Sequence, residues 1–270
     1  MLNYTVIQPN KELRVQARGQ LRGVWKQAML VVAIFNFSTW PSLIYDLGAQ
    51  LMLWEDMLSV RTHALLEDRS LISALGFWLY LPWPWNIVDR LFSVINIILG
   101  GALYLGFAGY CLKRIRGQET SIKNIFDGFK RFFPSFLLML FSGLFTLLWC
   151  LLLIIPGIIK GLGYSMAFFI MYDNPEIKPL EAIKRSSAMM MGYKWKLFKL
   201  LLSTFGQAIF GWLLILVVGM IFSTYKIAFI CCMTGFFWLT VAYIWLSYAN
   251  FYENLKNRQE KTPILECGGE

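Results

Sequence analysis

Few side chains in this sequence have the types and the spacing that catalysis or metal binding requires. The single histidine, His63, has Glu67 four residues later, and a lone solvated histidine is a simpler interpretation than a metal ligand. Two acidic pairs, Glu55-Asp56 and Glu67-Asp68, are typical of a solvated helix face. No motif for a serine nucleophile, a zinc protease or a phosphate-binding loop occurs. We therefore predict a protein that is not an enzyme and that has no catalytic residues, metal ligands or cofactor.

Composition instead indicates a membrane protein. Hydrophobic residues make up 57% of the 270 residues and charged residues 15%, whereas soluble domains are about half apolar and about a quarter charged. Several apolar runs approach the roughly 20 residues that a helix needs to cross a bilayer. We predict a single all-α integral membrane domain over residues 1–270. Its six transmembrane helices are expected at about 27–45, 87–110, 134–155, 158–173, 198–222 and 228–250.

The distribution of basic residues predicts how the chain is oriented. With the N-terminus inside, most of the 25 Lys and Arg residues lie on the cytoplasmic side, as the positive-inside rule requires. We therefore predict that both termini are cytoplasmic, and we interpret the net charge of +9 as a mark of inner loops and not of nucleic-acid binding. The insert at about 46–86 is expected outside. Its apolar end, 71–86, is either re-entrant or interfacial.

The stretch LLLIIPGIIK places a lysine inside an apolar run. A single helix over 134–173 would be about 60 Å long, twice the hydrocarbon thickness of a bilayer. We therefore predict a turn at Pro156-Gly157, at the outer face. Lys160 then lies within one helical turn of that face, and we expect its ammonium group to reach the headgroups. The alternative is a buried cation that contacts an anionic substrate.

Three basic, amphipathic stretches each precede a pair of predicted spans. Each contains a glycine followed by an aromatic and basic cluster: GVWKQ at Gly23, GFKRF at Gly128 and GYKWKLF at Gly192. We interpret them as a threefold repeat of an interfacial helix followed by a transmembrane hairpin. The third helix should start near Lys178, because Pro179 fits only in a first turn. The candidate residues for contact with anionic lipid or a partner are Lys123, Lys130, Arg131, Lys184, Arg185, Lys194, Trp195 and Lys196.

The segments IIPGIIK and EAIKRS, the latter followed by MGYKWKLF, resemble a bacterial family known as domain of unknown function 975. The resemblance begins with ARGQLRGVWKQA near the N-terminus and continues from about Ile122 to FYENL at Phe251. It implies a six-helix integral membrane protein, commonly from Gram-positive bacteria, and hence a bacterial cytoplasmic membrane. It implies no activity and no site residues.

Two functional hypotheses lead, and a lipid-modifying enzyme ranks third behind them. The first is a non-enzymatic membrane protein whose basic inner-face helices engage anionic lipid, a membrane partner or a second copy of the chain. The second is a transporter or flippase for a lipid or an amphiphilic peptide, with Lys160 as a substrate contact. Self-protection against a membrane-active peptide is a related form of the second hypothesis.

Overall fold

The computed structural model describes residues 8–36, 85–221 and 226–266, and among them helices occur and strands do not. We number the α-helices of this part of the chain α1 (Asn10–Leu21), α2 (Trp25–Phe35), α3 (Trp85–Ile115), α4 (Phe132–Leu152), α5 (Ile154–Tyr164), α6 (Ala167–Asp173), α7 (Pro179–Met189), α8 (Lys194–Ile221) and α9 (Lys226–Glu266). A 3-10 helix, Ile122–Arg131, leads into α4. Two compact units are distinguished. One comprises residues 1–35 and 99–270, and the other comprises residues 36–98.

Three helical stretches of the described chain are long and apolar enough to cross a membrane: Arg90–Ile115, Ile122–Leu152 and Ile154–Asp173. Helix α4 also leaves large side chains exposed, such as Leu147 and Leu151, at a density that soluble surfaces rarely show. These findings confirm an all-helical protein of membrane type, as far as the chain is described.

The remaining predicted spans are covered to different extents. Helices α8 and α9 run through the predicted spans 198–222 and 228–250, apart from residues 222–225. Helix α2 covers only part of 27–45, and the rest of that span lies outside the described residues. The predicted insert 46–86 also lies outside the described residues, except for residues 85 and 86. The count of six spans, the three hairpins and the orientation therefore stay predictions.

A helix break occurs in the LLLIIPGIIK stretch, but the predicted position was wrong. The break lies at Leu153, whose backbone is extended, with φ −159° and ψ 136°. Pro156 belongs to the first turn of α5, where its missing N–H leaves no helical bond unmade. A Cβ on Gly157 would lie 2.1 Å from the Cys150 sulfur. Pro156 and Gly157 therefore start α5 and let it pack against α4, and they do not form the turn.

A second break, at Ser165–Met166, divides the predicted span 158–173 into α5 and α6. The buried hydroxyl of Ser186, in α7, lies at this break. It donates a hydrogen bond to the Gly163 carbonyl (2.7 Å) and accepts one from the Met166 N–H (3.1 Å). This side chain supplies partners that the interrupted helix lacks.

Two of the three predicted repeat units share the same turn. Gly23 and Gly192 have φ of +81° and +80°, a conformation that favours glycine. Each turn has a matching backbone hydrogen bond, from Val24 N to Leu21 O and from Tyr193 N to Met190 O, at 3.2 and 3.1 Å. The following helices, α2 and α8, start directly after the two turns.

The middle unit is built differently. It forms a 3-10 helix, in which residues three apart lie on one side, and not the α-helix expected of an interfacial segment. Ile125 is buried, whereas Phe126 is exposed. Gly128 is also buried, and a Cβ there would lie 1.9 Å from the Ala102 carbonyl oxygen, so this glycine allows close packing on α3. The prediction that the third helix starts near Lys178 is confirmed, since α7 begins at Pro179.

The core of the larger unit centres on Trp245 of α9. Its ring centroid lies 5.1 Å from that of Phe107, 5.6 Å from Tyr104, 5.7 Å from Phe35 and 6.0 Å from Phe169. These aromatic contacts join α9 to α2, α3 and α6.

Candidate functional site

The predicted cations of the 3-10 helix have different environments. Lys123 is exposed. Lys130 is also exposed and lies 2.9 Å from the Asp127 carboxylate. Arg131 instead donates hydrogen bonds to the carbonyl oxygens of Met171 (2.8 Å) and Ile177 (3.3 Å). Arg131 therefore joins the start of α4 to the chain around the end of α6, and only the two lysines are presented outwards.

The candidates on α7 divide in the same way. Lys184 is exposed and has no hydrogen-bond or ion-pair partner among the described residues. Arg185 forms an exposed ion pair with Glu181, one turn earlier, at 2.6 Å. An exposed pair of this kind contributes little to stability. Both cations thus face outwards.

At the start of α8, Lys194 is packed and Trp195 is not. The Lys194 Nζ lies 3.7 Å from the position that a Cβ on Gly163 would take. Trp195 is 64% exposed, with its ring stacked on Phe198 at 5.3 Å and the Lys199 ammonium 5.5 Å from its centroid. Lys199 therefore belongs with the exposed cations, although the sequence analysis did not select it.

Lys196 is half-buried, and its backbone carbonyl accepts a hydrogen bond from the Asn10 side chain at 3.1 Å. Burial, with the nearby charge of Arg258, lowers the pKa of the Lys196 ammonium group. Its position at the contact between α1 and α8 indicates that Lys196 packs within the protein and is not presented to a lipid or a partner.

Lys160 has an aromatic partner that the sequence analysis missed. Its Nζ lies 4.7 Å from the ring centroid of Trp149, in the last turn of α4. This cation–π contact stabilises the charged form without an anion. Lys160 also does not line the larger cavity described below.

A charged network, not foreseen from the sequence, joins the end of α3 to α6 and α9. Asp173, whose side chain is 7% exposed, accepts two hydrogen bonds from Arg116 at 2.8 Å each, one from Lys256 at 2.8 Å and one from Tyr252 at 3.1 Å. The other side of Arg116 binds Glu253 at 2.8 Å.

The network acts as a clamp. The hydrogen bonds to Asp173, then to Glu253, raise the pKa of the Arg116 guanidinium despite its partial burial. Burial, together with the charge of Asp173, raises the pKa of the Tyr252 phenol, which therefore stays a hydrogen-bond donor. Because the charges bind one another, this network joins the ends of α3 and α6 to the middle of α9.

Among the described helices we consider two cavities, and the larger of these has a volume of about 680 Å³ and lies among α3, α4, α5, α6 and α9. Its lining is mostly aromatic and apolar. The Thr146 hydroxyl donates to a carbonyl of its own helix (2.7 Å). The hydroxyls of Tyr104, Tyr164 and Tyr248 make no hydrogen bond to other described residues. Such a lining suits an amphiphile, because it combines apolar walls with a few polar groups.

The smaller cavity, of about 430 Å³, lies among α1, α2, α8 and α9. Two arginines, Arg18 and Arg22, line it together with Trp25. The Arg18 guanidinium lies 5.7 Å from the ring centroid of Tyr243, which also lines the cavity. In the sequence, these arginines indicated only that the N-terminus is cytoplasmic. The pattern that could have revealed them is their four-residue spacing, which continues from Arg14.

A search of protein families finds a match over nearly the whole chain. The family model described as "Protein of unknown function (DUF975)" matches residues 1–160 and 150–259. No curated protein and no solved structure matches the sequence. The family match agrees with the resemblance seen in the IIPGIIK and GYKWKLF segments. It brings no activity with it, so function has to be argued from the geometry of the chain.

Proposed function

The chain belongs to the DUF975 family of proteins of unknown function, and from its geometry we propose that it is a non-enzymatic, multi-pass protein of the bacterial cytoplasmic membrane that binds anionic lipid at the cytoplasmic face. In this proposal six helices cross the membrane and both termini are cytoplasmic. The basic helices next to the inner surface make the lipid contact.

One observation carries this proposal. Each of the two matched glycine turns, at Gly23 and Gly192, is followed within three residues by an exposed tryptophan. A lysine ammonium group lies 5.5 Å from the ring centroid in both cases, Lys26 at Trp25 and Lys199 at Trp195. Tryptophan favours the level of the headgroups, and lysine beside it is attracted to an anionic leaflet. The same pair after both glycine turns supports a shared membrane surface.

The exposed cations of this surface also include Lys123 and Lys184. Each lysine near an anionic leaflet contributes about 1 kcal/mol to the attraction. The packed cations Arg131 and Lys194 are assigned to structure instead, because their environments lie within the protein. Of the eight predicted contact residues, the proposal keeps exposed Trp195 and the cations that face outwards, which are Lys123, Lys130, Lys184 and Arg185. A membrane-protein partner or a second copy of the chain are the other occupants that this surface would suit.

Two matched double variants test the proposal. Lys184→Gln/Lys199→Gln removes two exposed charges from the proposed inner face. Arg90→Gln/Lys160→Gln removes two charges from the proposed outer end. Each protein is purified from membranes that contain phosphatidylglycerol and phosphatidylcholine, and retained lipids are counted by native mass spectrometry.

We expect Lys184→Gln/Lys199→Gln to weaken the binding free energy of phosphatidylglycerol by up to about 2 kcal/mol, which is a roughly thirtyfold loss of affinity. Fewer phosphatidylglycerol molecules should then be retained. Arg90→Gln/Lys160→Gln should leave the affinity unchanged. Equal retention in both variants and the wild type would reject the assignment of lipid contact to these residues. If Lys184→Gln/Lys199→Gln instead loses a copurifying protein, with lipid retention unchanged, this surface binds a protein partner. If the variant loses a dimer, the surface binds a second copy of the chain.

The larger cavity favours a second candidate function, transport or flipping of a lipid or an amphiphilic peptide. In the self-protection form of this proposal the bound amphiphile is a membrane-active peptide. The substrate contacts would be tyrosine hydroxyls such as Tyr104 and Tyr248, and not Lys160, which lies elsewhere.

Gly143 allows a clean test of this candidate. It lines the cavity, and a Cβ placed on it meets no atom within 4 Å, so Gly143→Leu adds bulk to the cavity without a backbone clash. Flipping of a fluorescent phospholipid in proteoliposomes should then fall sharply in Gly143→Leu. Gly206→Leu, at another open helical glycine, is the control. Absence of flipping by the wild-type protein would remove lipid flipping from consideration.

A further inference from the structure

We propose that the smaller cavity binds one anionic phospholipid, with the phosphate at Arg18 and Arg22 and an acyl chain along Leu239 and Phe236. This inference rests on the proposed function and assigns it a specific site. It names residues outside the set selected from the sequence.

Helix α1, which contains Arg18 and ends directly before Arg22, is tied to its neighbours on two sides. Asn10 donates to the Lys196 carbonyl at 3.1 Å, and Arg14 donates to the Ser203 hydroxyl, so the first half of α1 is tied to α8. On its other side Gln20 and Asn250 exchange two hydrogen bonds, of 3.0 and 2.9 Å, which tie α1 to α9.

The spacing on α1 separates a structural arginine from the two that line the cavity. Arg14 and Arg18 lie four residues apart on one side of α1. Arg22, four residues further on, directly follows the helix. The first of them is used in the contact with α8. The next two reach the cavity, where Arg18 lies over Tyr243 and the exposed Arg22 makes no ion pair among the described residues.

The part of the cavity lined by Phe236, Leu239 and the two threonines offers no free hydroxyl donor. From Tyr243 to Phe236, α9 extends seven residues, or about 10 Å, which is a large part of the roughly 15 Å of one leaflet's hydrocarbon. The two threonines of the lining donate their hydroxyl hydrogens within their own helices, Thr204 to Leu201 O and Thr240 to Phe236 O, both at 2.8 Å. The lining thus offers an acyl chain a path alongside Leu239.

The ring of Phe236 packs against a glycine on the facing helix. A Cβ on Gly211 of α8 would lie 2.3 Å from this ring, so the ring occupies the space that a side chain would fill. Phe236 therefore packs closely against α8 at this part of the lining.

Charge complementarity identifies the occupant. Two guanidinium groups match the planar, two-pronged geometry of a phosphate diester. No carboxylate lines the cavity among the described residues, so a net negative headgroup is favoured over a zwitterionic one. Trp25, which is 49% exposed beside the arginines, suits the level of the headgroups. Free phosphate would use the arginines but not the apolar part.

The test compares single variants of the full chain in neutral detergent. Native mass spectrometry follows a titration with phosphatidylglycerol, with phosphatidylcholine of the same acyl chains, or with inorganic phosphate. Arg22→Gln removes a charge at the mouth, and Lys11→Gln removes one from an exposed position of the same helix, outside the cavity. Leu239→Trp fills the acyl path and leaves every charge in place. Arg22→Lys keeps the charge and changes its geometry.

We expect the wild type to retain one phosphatidylglycerol in preference to phosphatidylcholine. Arg22→Gln should weaken that binding roughly tenfold or more, Arg22→Lys should weaken it less, and Lys11→Gln should leave it unchanged. Leu239→Trp should abolish it although the charges remain. Melting temperatures within a few degrees of the wild type check that each variant is folded.

Three results would overturn this site. They are full retention by Arg22→Gln, full retention by Leu239→Trp, and displacement of the lipid by inorganic phosphate. If these occur while Lys184→Gln/Lys199→Gln still lowers phosphatidylglycerol retention, the proposed function stands and only this site is wrong. If the wild type shows no preference for phosphatidylglycerol at all, the proposed function is wrong as well.

Discussion

The carboxylate of Asp173 accepts a hydrogen bond from each terminal nitrogen of Arg116, both at 2.8 Å, and this pair joins the end of α6 to the chain just after α3. The same carboxylate binds Lys256 of α9 at 2.8 Å. Three helices that are distant in sequence therefore meet at one nearly buried carboxylate. Without Asp173, Lys256 would lose this partner and Arg116 would keep only Glu253, so the contact among the three helices would weaken.

We predict that Asp173→Asn destabilises the protein by about 2–3 kcal/mol, because charge-assisted hydrogen bonds from Arg116 and Lys256 are lost. The melting temperature in detergent measures the effect. Glu181→Gln is the matched control, since it removes a carboxylate from an exposed pair with Arg185 and should cost less than about 1 kcal/mol. Similar losses in both variants would contradict the clamp.

Glycine substitutions should change stability in opposite directions. Gly192→Ala forces a side chain into a backbone with φ +80° and should cost about 1–2 kcal/mol. Gly19→Ala, inside α1 with open space around its Cβ position, should stabilise by up to about 1 kcal/mol. Melting temperatures of the two variants test this. A stabilising Gly192→Ala would show that the turn after Met190 does not need glycine.

Lys160→Gln should cost only about 0.5–1 kcal/mol, the value of an accessible cation–π contact with Trp149. Trp149→Leu and the double variant complete a thermodynamic cycle, and the coupling should be of the same size. We also expect Lys160→Gln to complement a deletion of the gene. A stable Lys160→Gln protein that fails to complement would assign Lys160 a substrate contact.

The orientation is tested by labelling in intact cells. In a background without the native cysteines, Ser121→Cys and Glu260→Cys should resist a membrane-impermeant thiol reagent, because both positions are predicted to be cytoplasmic. They should react once the membrane is permeabilised. Ready labelling of either position in intact cells would reverse the predicted topology and remove the lipid proposal from the cytoplasmic face.

Local features of the fold were predictable where one residue restricts its own backbone. Pro179 indicated the start of α7. The glycines of GVWKQ and GYKWKLF were predicted only as parts of a repeat, and the structure gives both of them the same turn. Leu153 carries no such restriction. The sequence placed the break at Pro156 because proline ends helices, but proline is equally suited to a first turn.

The sites were less predictable because they depend on contacts between distant parts of the chain. Gln20 and Asn250, which bring α1 to α9, are separated by 230 positions, and the cavity beside Arg18 exists only once they meet. Arg131 and Lys184 look alike in sequence, yet one binds backbone carbonyls and the other faces outwards. Which cation has an internal partner is decided by packing and not by local composition.

The central claim is that the inner surface prefers anionic lipid, and competition for the wild-type protein tests it most directly. The purified chain is equilibrated in mixed micelles with equal amounts of phosphatidylglycerol and phosphatidylcholine of identical acyl chains, and the retained lipids are counted at low and at high salt. We predict an excess of retained phosphatidylglycerol that falls as salt rises, because exposed charges such as Lys184 and Lys199 are screened. Equal retention of the two lipids at low salt would contradict the claim.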